Sequence, residues 1–134
     1  MSKPPDRTNQ HIKAPPAKVR AQKRGRWAEQ LTALYLRLTG HRVLARNFRT
    51  KVGEVDLIVR RGDTLSFVEV KARPNITIAA EAISPRQRRR IQRAAELFLA
   101  QHPNLNTCDI RFDVSLVSGP LRFTIVRDAW RVDT

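Results

Sequence analysis

The chain has 134 residues, of which 41% are hydrophobic, enough for one compact domain with a real core and ordinary for a soluble globular protein. Lys and Arg number 26 against 12 Asp and Glu, a net charge of +14, which favours a polyanionic partner, most often nucleic acid. No apolar run is long enough to span a membrane, the basic N terminus lacks the apolar stretch of a secretory signal, and the single Cys108 allows no internal disulfide, so a reducing cytoplasm is the expected location.

Residues 1–23 hold four prolines and several lysines without apolar periodicity, and read as a disordered basic leader. A single domain over 24–134 follows. Its first helix is expected over 25–38, where Trp27, Leu31, Leu34, Tyr35 and Leu38 recur at helical spacing. Gly40 ends it. On a helical wheel Glu29 lies roughly opposite that stripe. A strand is expected over 42–49, with Val43 and Ala45 on one face and Leu44 and Arg46 on the other.

Residues 53–71 are the most informative segment. Gly53-Glu54-Val55-Asp56 leads an apolar run, Gly62-Asp63 forms a turn, and Phe67-Val68-Glu69-Val70-Lys71 closes a β-hairpin. A two-residue or a four-residue loop gives the same register: Asp56 opposite Glu69, Ile58 opposite Phe67, Glu54 opposite Lys71. Val55, Leu57, Val59, Val68 and Val70 then take the other face. Opposed residues stand about 5 Å apart. Two carboxylates at that distance repel by roughly 3 kcal/mol at an effective dielectric near 20. A chain built only for stability avoids this pairing; a hard divalent cation such as Mg²⁺ or Mn²⁺ reverses its sign.

Residues 74–82 read as a loop. A second helix is expected over 85–101, with Ser84 as N-cap, Pro85 at the first helical position, and Ile91, Ala94, Ala95, Phe98 and Leu99 as its buried stripe. Strands over 109–117 and 121–127, joined by Ser118-Gly119-Pro120, complete the chain. The order predicts an α/β fold, a mixed β-sheet of about five strands flanked by helices, α-β-β-β-α-β-β. The first three strands form a meander, and the second helix crosses over to bring in a fourth, parallel strand.

The chemistry-bearing pattern is an acid on the first helix, then Gly-x-x-Asp, then Glu-x-Lys: Glu29, Gly53 to Asp56, and Glu69 to Lys71. Metal-assisted phosphodiester hydrolysis needs such a set. Asp56 and Glu69 hold the cation that polarises the phosphate and activates water. Lys71, on the same side as Glu69, orients the water or stabilises developing charge. Arg86, Arg89, Arg90 and Arg93 share one side of the second helix, well placed for a run of phosphates. Asn47, Arg49 and Arg73 are further candidates to steer the scissile phosphate, or else they cap strand ends. Arg111 and Asp113 share a face and can pair. His11, His41 and His102 lack metal-ligand spacing and receive no role.

Gly25-x-x-x-Glu29-x-x-x-Ala33, Asn47-x-Arg49, Gly53-Glu54-Val55-Asp56-Leu57-Ile58, Phe67-Val68-Glu69-Val70-Lys71-x-Arg73 and Arg111-Phe112-Asp113-Val114 occur in this order. Together they resemble the YraN-like proteins, a bacterial family, over residues 23–130. That family is similar to the PD-(D/E)-x-K nuclease superfamily, with a restriction-endonuclease-like fold related to Holliday-junction resolvases. The resemblance implies Asp56, Glu69 and Lys71 as the core site, Glu29 as an additional acid, and the Val70 backbone carbonyl as a further metal ligand. It implies a Mg²⁺- or Mn²⁺-dependent nuclease acting on DNA, on branched or single-stranded structures, and, for a resolvase-like enzyme, a homodimer. Two departures are visible: no Gly between 74 and 82, and Gln87 where family members often carry Lys.

Two other readings fit the same residues. One is a catalytically silent nucleic-acid-binding module on the same fold. The other is an RNA- or ribosome-associated basic protein. Intact Asp56, Glu69 and Lys71 favour the enzyme. Only 6% of residues are aromatic and most are expected in the core, which disfavours single-stranded RNA recognition by base stacking.

Overall fold

The computed structural model describes residues 17–73, 83–120 and 122–131, with side chains from residue 25 onward. The expectations for 1–16 and for the loop at 74–82 lie outside the described residues. Five strands, β1 (Arg42–Arg49), β2 (Glu54–Arg61), β3 (Thr64–Ala72), β4 (Asp109–Gly119) and β5 (Arg122–Trp130), form one sheet in that spatial order. β1, β2 and β3 are an antiparallel meander, β3 and β4 run parallel, and β4 and β5 are antiparallel. A parallel joint needs a long crossover. Helix α2 (Pro85–Gln101) lies within it, and α1 (Ala17–Leu38) precedes the sheet. This is the expected mixed α/β architecture. No helix among the described residues is long and apolar enough to cross a membrane.

Helix α2 forms where local signals converge. The Ser84 hydroxyl accepts from the Gln87 amide at 3.2 Å, the Gln87 side chain accepts from the Ser84 amide at 3.4 Å, and Pro85 opens the first turn. Ile91, Ala94, Ala95 and Phe98 are buried against Val55, Ile58, Leu65, Phe67 and Phe112. The predicted stripe is therefore the observed one.

Helix α1 differs from expectation in two ways. It starts at Ala17, so residues 17–23 of the expected leader are helical. Ala, Lys, Arg and Gln propagate a helix without any apolar stripe. The helix is also turned about its axis. Ala28, Thr32, Ala33 and Leu36 are buried, whereas Trp27, Leu34 and Leu38 are 41%, 54% and 78% exposed. Tyr35 also lies at the surface, with its ring edge-on to Phe123 at 4.9 Å. The sheet face beneath α1 is already filled by Leu57, Val59 and Val68, so small residues bring the helix close. The Thr32 hydroxyl, bonded to the Ala28 carbonyl, meets the Ser115 hydroxyl at 2.8 Å and pins α1 to β4.

Two strands also depart from simple alternation. A bulge between Val43 and Ala45 puts both Leu44 and Ala45 on the α2 side, while Val43 faces α1. Val55 packs with the α2 core although Leu57, two residues on, packs with α1. β4 and β5 run longer than predicted: Gly119 still pairs with Arg122 beside the turn, and β5 runs on to Trp130, which stacks on Phe112 at 5.2 Å.

Candidate active site

The β2–β3 ladder runs from Arg61 opposite Thr64 to Leu57 opposite Val68, in the expected register. Asp56 and Glu69 come next in that register. There the Val70 amide donates to the Asp56 Oδ2 at 2.8 Å, so a carboxylate takes the place of a strand carbonyl. On the other side, the pairs Arg46 with Leu57 and Phe48 with Val55 set Asn47 opposite Asp56. Asn47 has φ of 50°, a left-handed conformation that Asn tolerates better than most residues. The alternation of β2 breaks at the same level, between Val55 and Leu57. Asp56 therefore stands at a twist of two strands, between the two faces of the sheet.

This position lets it meet acids from both sides. From β3, Glu69 lies beside Asp56, and its other neighbour is Lys71, with Nζ 3.5 Å from Glu69 Oε1 in a nearly buried pair. Burial and the Asp56 charge push the Glu69 carboxyl up to about 8 against the pull of Lys71. Burial likewise raises Asp56, opposed by the Val70 amide and Lys71. From α1, Glu29 approaches Asp56 because the turned helix lays Ala28, Thr32 and Ala33 on the sheet. Burial and Asp56 raise Glu29 to about 7, offset by a hydrogen bond from Asn47 and the charge of Arg49.

The site thus holds acids that bind protons more tightly than free carboxylates do, which is the state a cation would relieve by displacing them. Asp56 and Glu69 supply carboxylate oxygens and negative charge, the donor chemistry that a hard divalent ion takes. The set is small: no group of three or more His, Cys, Asp or Glu side chains stands in metal-binding geometry among the described residues. The Val70 carbonyl is the backbone oxygen between Glu69 and Lys71.

Two openings flank the acids. Glu54, Glu69, Gln87, Arg90 and Ile91 line a small cleft of 60 Å³ on the α2 side. Gly25, Arg26, Glu29, Asn47 and Arg49 line a cavity of 440 Å³ on the α1 side. Gly53 is required here. A Cβ at this position would lie 1.8 Å from the Arg90 carbonyl oxygen, so only glycine lets α2 come down beside the start of β2.

The remaining predicted residues divide. Arg86, Arg89, Arg90 and Arg93 are exposed on α2, and Arg90 reaches the cleft. Arg88, between them, lies over the Trp130 ring at 5.7 Å. Glu54 stands opposite Lys71 in the expected register, where an ion pair between them would be natural. It lies 3.8 Å from Arg49 instead, because Lys71 is engaged by Glu69. Exposed Arg73 bonds the neighbouring Ala72 carbonyl at 2.9 Å and reaches none of the acids. The sequence reading underrated Asn47, whose place opposite Asp56 follows from the register once the β1 bulge is known.

Fold and acids together define a restriction-endonuclease-like α/β domain. Residues 28–117 match the model of the uncharacterised protein family UPF0102. The chain is 48% identical over 126 residues to a UPF0102 protein of Paramagnetospirillum magneticum, covering 90% of this chain and 98% of that one. It is 48% identical over 117 residues to one of Parvibaculum lavamentivorans, covering 87% and 88%. The chain belongs to this family, the YraN-like family that its motifs resemble. The relatives' names state no activity.

Proposed function

We propose that the domain is a divalent-metal-dependent nuclease that hydrolyses phosphodiester bonds in DNA. The observation that carries this reading is the Asp56–Glu69 pair, partly buried at the splayed end of β2 and β3 with Lys71 beside it. A Mg²⁺ or Mn²⁺ ion held by these two carboxylates and the Val70 carbonyl would polarise the phosphate and lower the pKa of a bound water. Lys71 points its ammonium at the same place and stabilises negative charge on the phosphate oxygens. Glu29, with a pKa near 7, is suited to take a proton from water and release it at neutral pH. Arg90 at the cleft, with Arg86, Arg89 and Arg93 along the same helix, holds the backbone without reading bases.

The test is cleavage of duplex, single-stranded, flapped and four-way DNA with Mg²⁺ or Mn²⁺, against EDTA. Metal-dependent cleavage lost in Asp56→Asn supports the reading. No cleavage of any substrate with either ion, or equal cleavage by Asp56→Asn, overturns it. The small ligand set favours one competitor, a binding module that holds DNA and never cuts it.

A further inference from the structure

A second polar cavity, of 220 Å³, opens at the other end of the sheet. Its lining is His41, Arg61, Thr64, Ser66, Arg111 and Arg127. His41 precedes β1, Arg61 ends β2, Thr64 and Ser66 begin β3, Arg111 lies near the start of β4 and Arg127 on β5. Arg61 is five residues along β2 from Asp56, roughly 17 Å at strand rise. This cavity is therefore separate from the candidate active site.

Its charges are unbalanced. Arg111 is held by both oxygens of buried Asp113, at 3.1 and 3.2 Å, and Asp113 also accepts the Asp128 amide at 2.9 Å. Arg61 and Arg127 have no carboxylate within ion-pair distance among the described residues. Asp63, two residues from Arg61, and Asp128, next to Arg127, pair with neither; Asp128 pairs with Arg131 at 2.7 Å instead. His41 is buried, and its Nδ1 stands 3.1 Å from the Leu36 carbonyl and 3.2 Å from the Thr39 hydroxyl. A carbonyl only accepts, so Nδ1 carries the proton and Nε2 is the ring's free nitrogen. Burial first, and then the charges of Arg61, Arg127 and Arg111, hold the imidazole below its usual range against the Leu36 carbonyl. The Thr64 and Ser66 side chains make no hydrogen bond among the described residues, although Ser66 is only 1% exposed.

Asp113 answers only Arg111, so the cavity keeps the uncompensated charge of Arg61 and Arg127 beside the Thr64 and Ser66 hydroxyls, and an oxyanion among them would relieve the repulsion. Guanidinium forks match the oxygens of phosphate, and hydroxyls complete its shell. The volume is below the usual range for drug-sized ligands, which suits one phosphate group rather than a whole nucleotide. We propose that the cavity formed by His41, Arg61, Thr64, Ser66, Arg111 and Arg127 is a phosphate-binding site. The phosphate is either free in solution or a group on a nucleic-acid strand. The assignment does not depend on the nuclease reading.

The experiment titrates the full chain with inorganic phosphate by calorimetry, at ionic strength held constant with chloride. The comparisons are Arg61→Gln/Arg127→Gln and, as an equal charge change at two exposed residues outside both sites, Lys51→Gln/Arg122→Gln. Saturable one-site binding, weakened at least tenfold in the first variant and less than twofold in the second, is expected. Arg127→Gln alone removes one exposed side chain and serves if the double variant melts early. Binding that is equal in all three proteins, or none in the wild type, overturns the proposal. A second arm compares 5′-phosphorylated and unphosphorylated single strands. A preference for the phosphorylated strand that disappears in Arg61→Gln/Arg127→Gln assigns the site to strand ends. Equal binding of the two strands, with inorganic phosphate still held, assigns it to free or backbone phosphate.

Discussion

The two ends of the sheet carry opposite solutions to the same problem. At one end β2 and β3 splay, and Glu29, Asp56 and Glu69 are brought together with Lys71 as the nearby counter-charge. At the other the hairpin is closed by Gly62-Asp63, and Arg61, Arg111 and Arg127 surround His41. Each end concentrates charge of one sign, Asp56 and Glu69 largely buried and Arg61 and Arg127 at the surface. The acidic end lessens its repulsion by holding protons. The basic end has no such outlet, since arginine does not deprotonate. A mobile proton suits chemistry, and a permanent field suits binding.

The sharpest way to break this division is to neutralise one end at a time. Asp56→Asn or Glu69→Gln should lower metal-dependent cleavage about a thousandfold, the equivalent of roughly 4 kcal/mol of lost transition-state stabilisation. DNA affinity should stay within about threefold, because the arginines remain. The measurement is single-turnover cleavage beside fluorescence anisotropy. A variant that cuts at the wild-type rate removes the acids from the mechanism.

Next in size is the joint that shapes the acidic end. Gly53→Ala forces a methyl onto the Arg90 carbonyl, and because the obstacle is backbone, α2 or β2 must move. A loss of about 3 kcal/mol is expected, or roughly 10 °C in melting temperature for a chain of this size. Gly62→Ala is a contrast at the basic end, where φ is +58° but nothing stands near a Cβ. It should cost about 1 kcal/mol, the penalty of a left-handed backbone alone. Equal losses would mean that the Gly53 contact relaxes freely.

Much of the acidic end was legible because its signals are local. The turn at Gly62-Asp63 sets the hairpin register, and that register places Asp56 beside Glu69. Ser84, Pro85 and the stripe from Ile91 to Phe98 likewise announce α2. Glu29 was legible only as a letter in a pattern. Its approach depends on the turn of α1, and large apolar residues gave the wrong face because Ala28 and Ala33 are what the filled sheet accepts. The twist at Asn47 depends on a bulge that no turn residue marks. The basic cavity was invisible. Its six residues come from across the five-stranded sheet, the arginines merged with the general charge, and His41 was judged only by metal-ligand spacing.

The proton held at the acidic end should show in stability. Glu69 has its pKa raised from 4.5 to about 8, and Glu29 from 4.5 to about 7. Between those values the folded protein binds more protons than the unfolded chain. Stability therefore falls as pH rises through this window. In EDTA the melting temperature should drop between pH 5 and pH 8 after the change in net charge elsewhere is matched with Glu69→Gln, which should show a flatter profile. Mn²⁺ should restore stability most at the high end, where it no longer competes with protons. A metal-free protein that gains stability from pH 5 to pH 8, relative to Glu69→Gln, contradicts the raised carboxyl.

The smallest effect separates a binding face from a binding cavity. Duplex DNA releases counterions in proportion to the phosphates neutralised, with a slope of about −0.9 per phosphate in log affinity against log salt. Arg86, Arg89 and Arg90 are exposed along α2, and Arg90 borders the acidic cleft. If each meets its own phosphate, replacing all three with Gln flattens the slope by roughly two to three units. Arg61 and Arg127 share one cavity, which has room for one phosphate group. Replacing both should flatten the slope by about one unit at most, however much affinity is lost, because the slope counts phosphates and not arginines. Salt titrations of the two variants on one fluorescent duplex make the comparison. A change near two units from the cavity variant would show that its arginines act separately, as a face does, and the distinction between the two basic surfaces would fall with it.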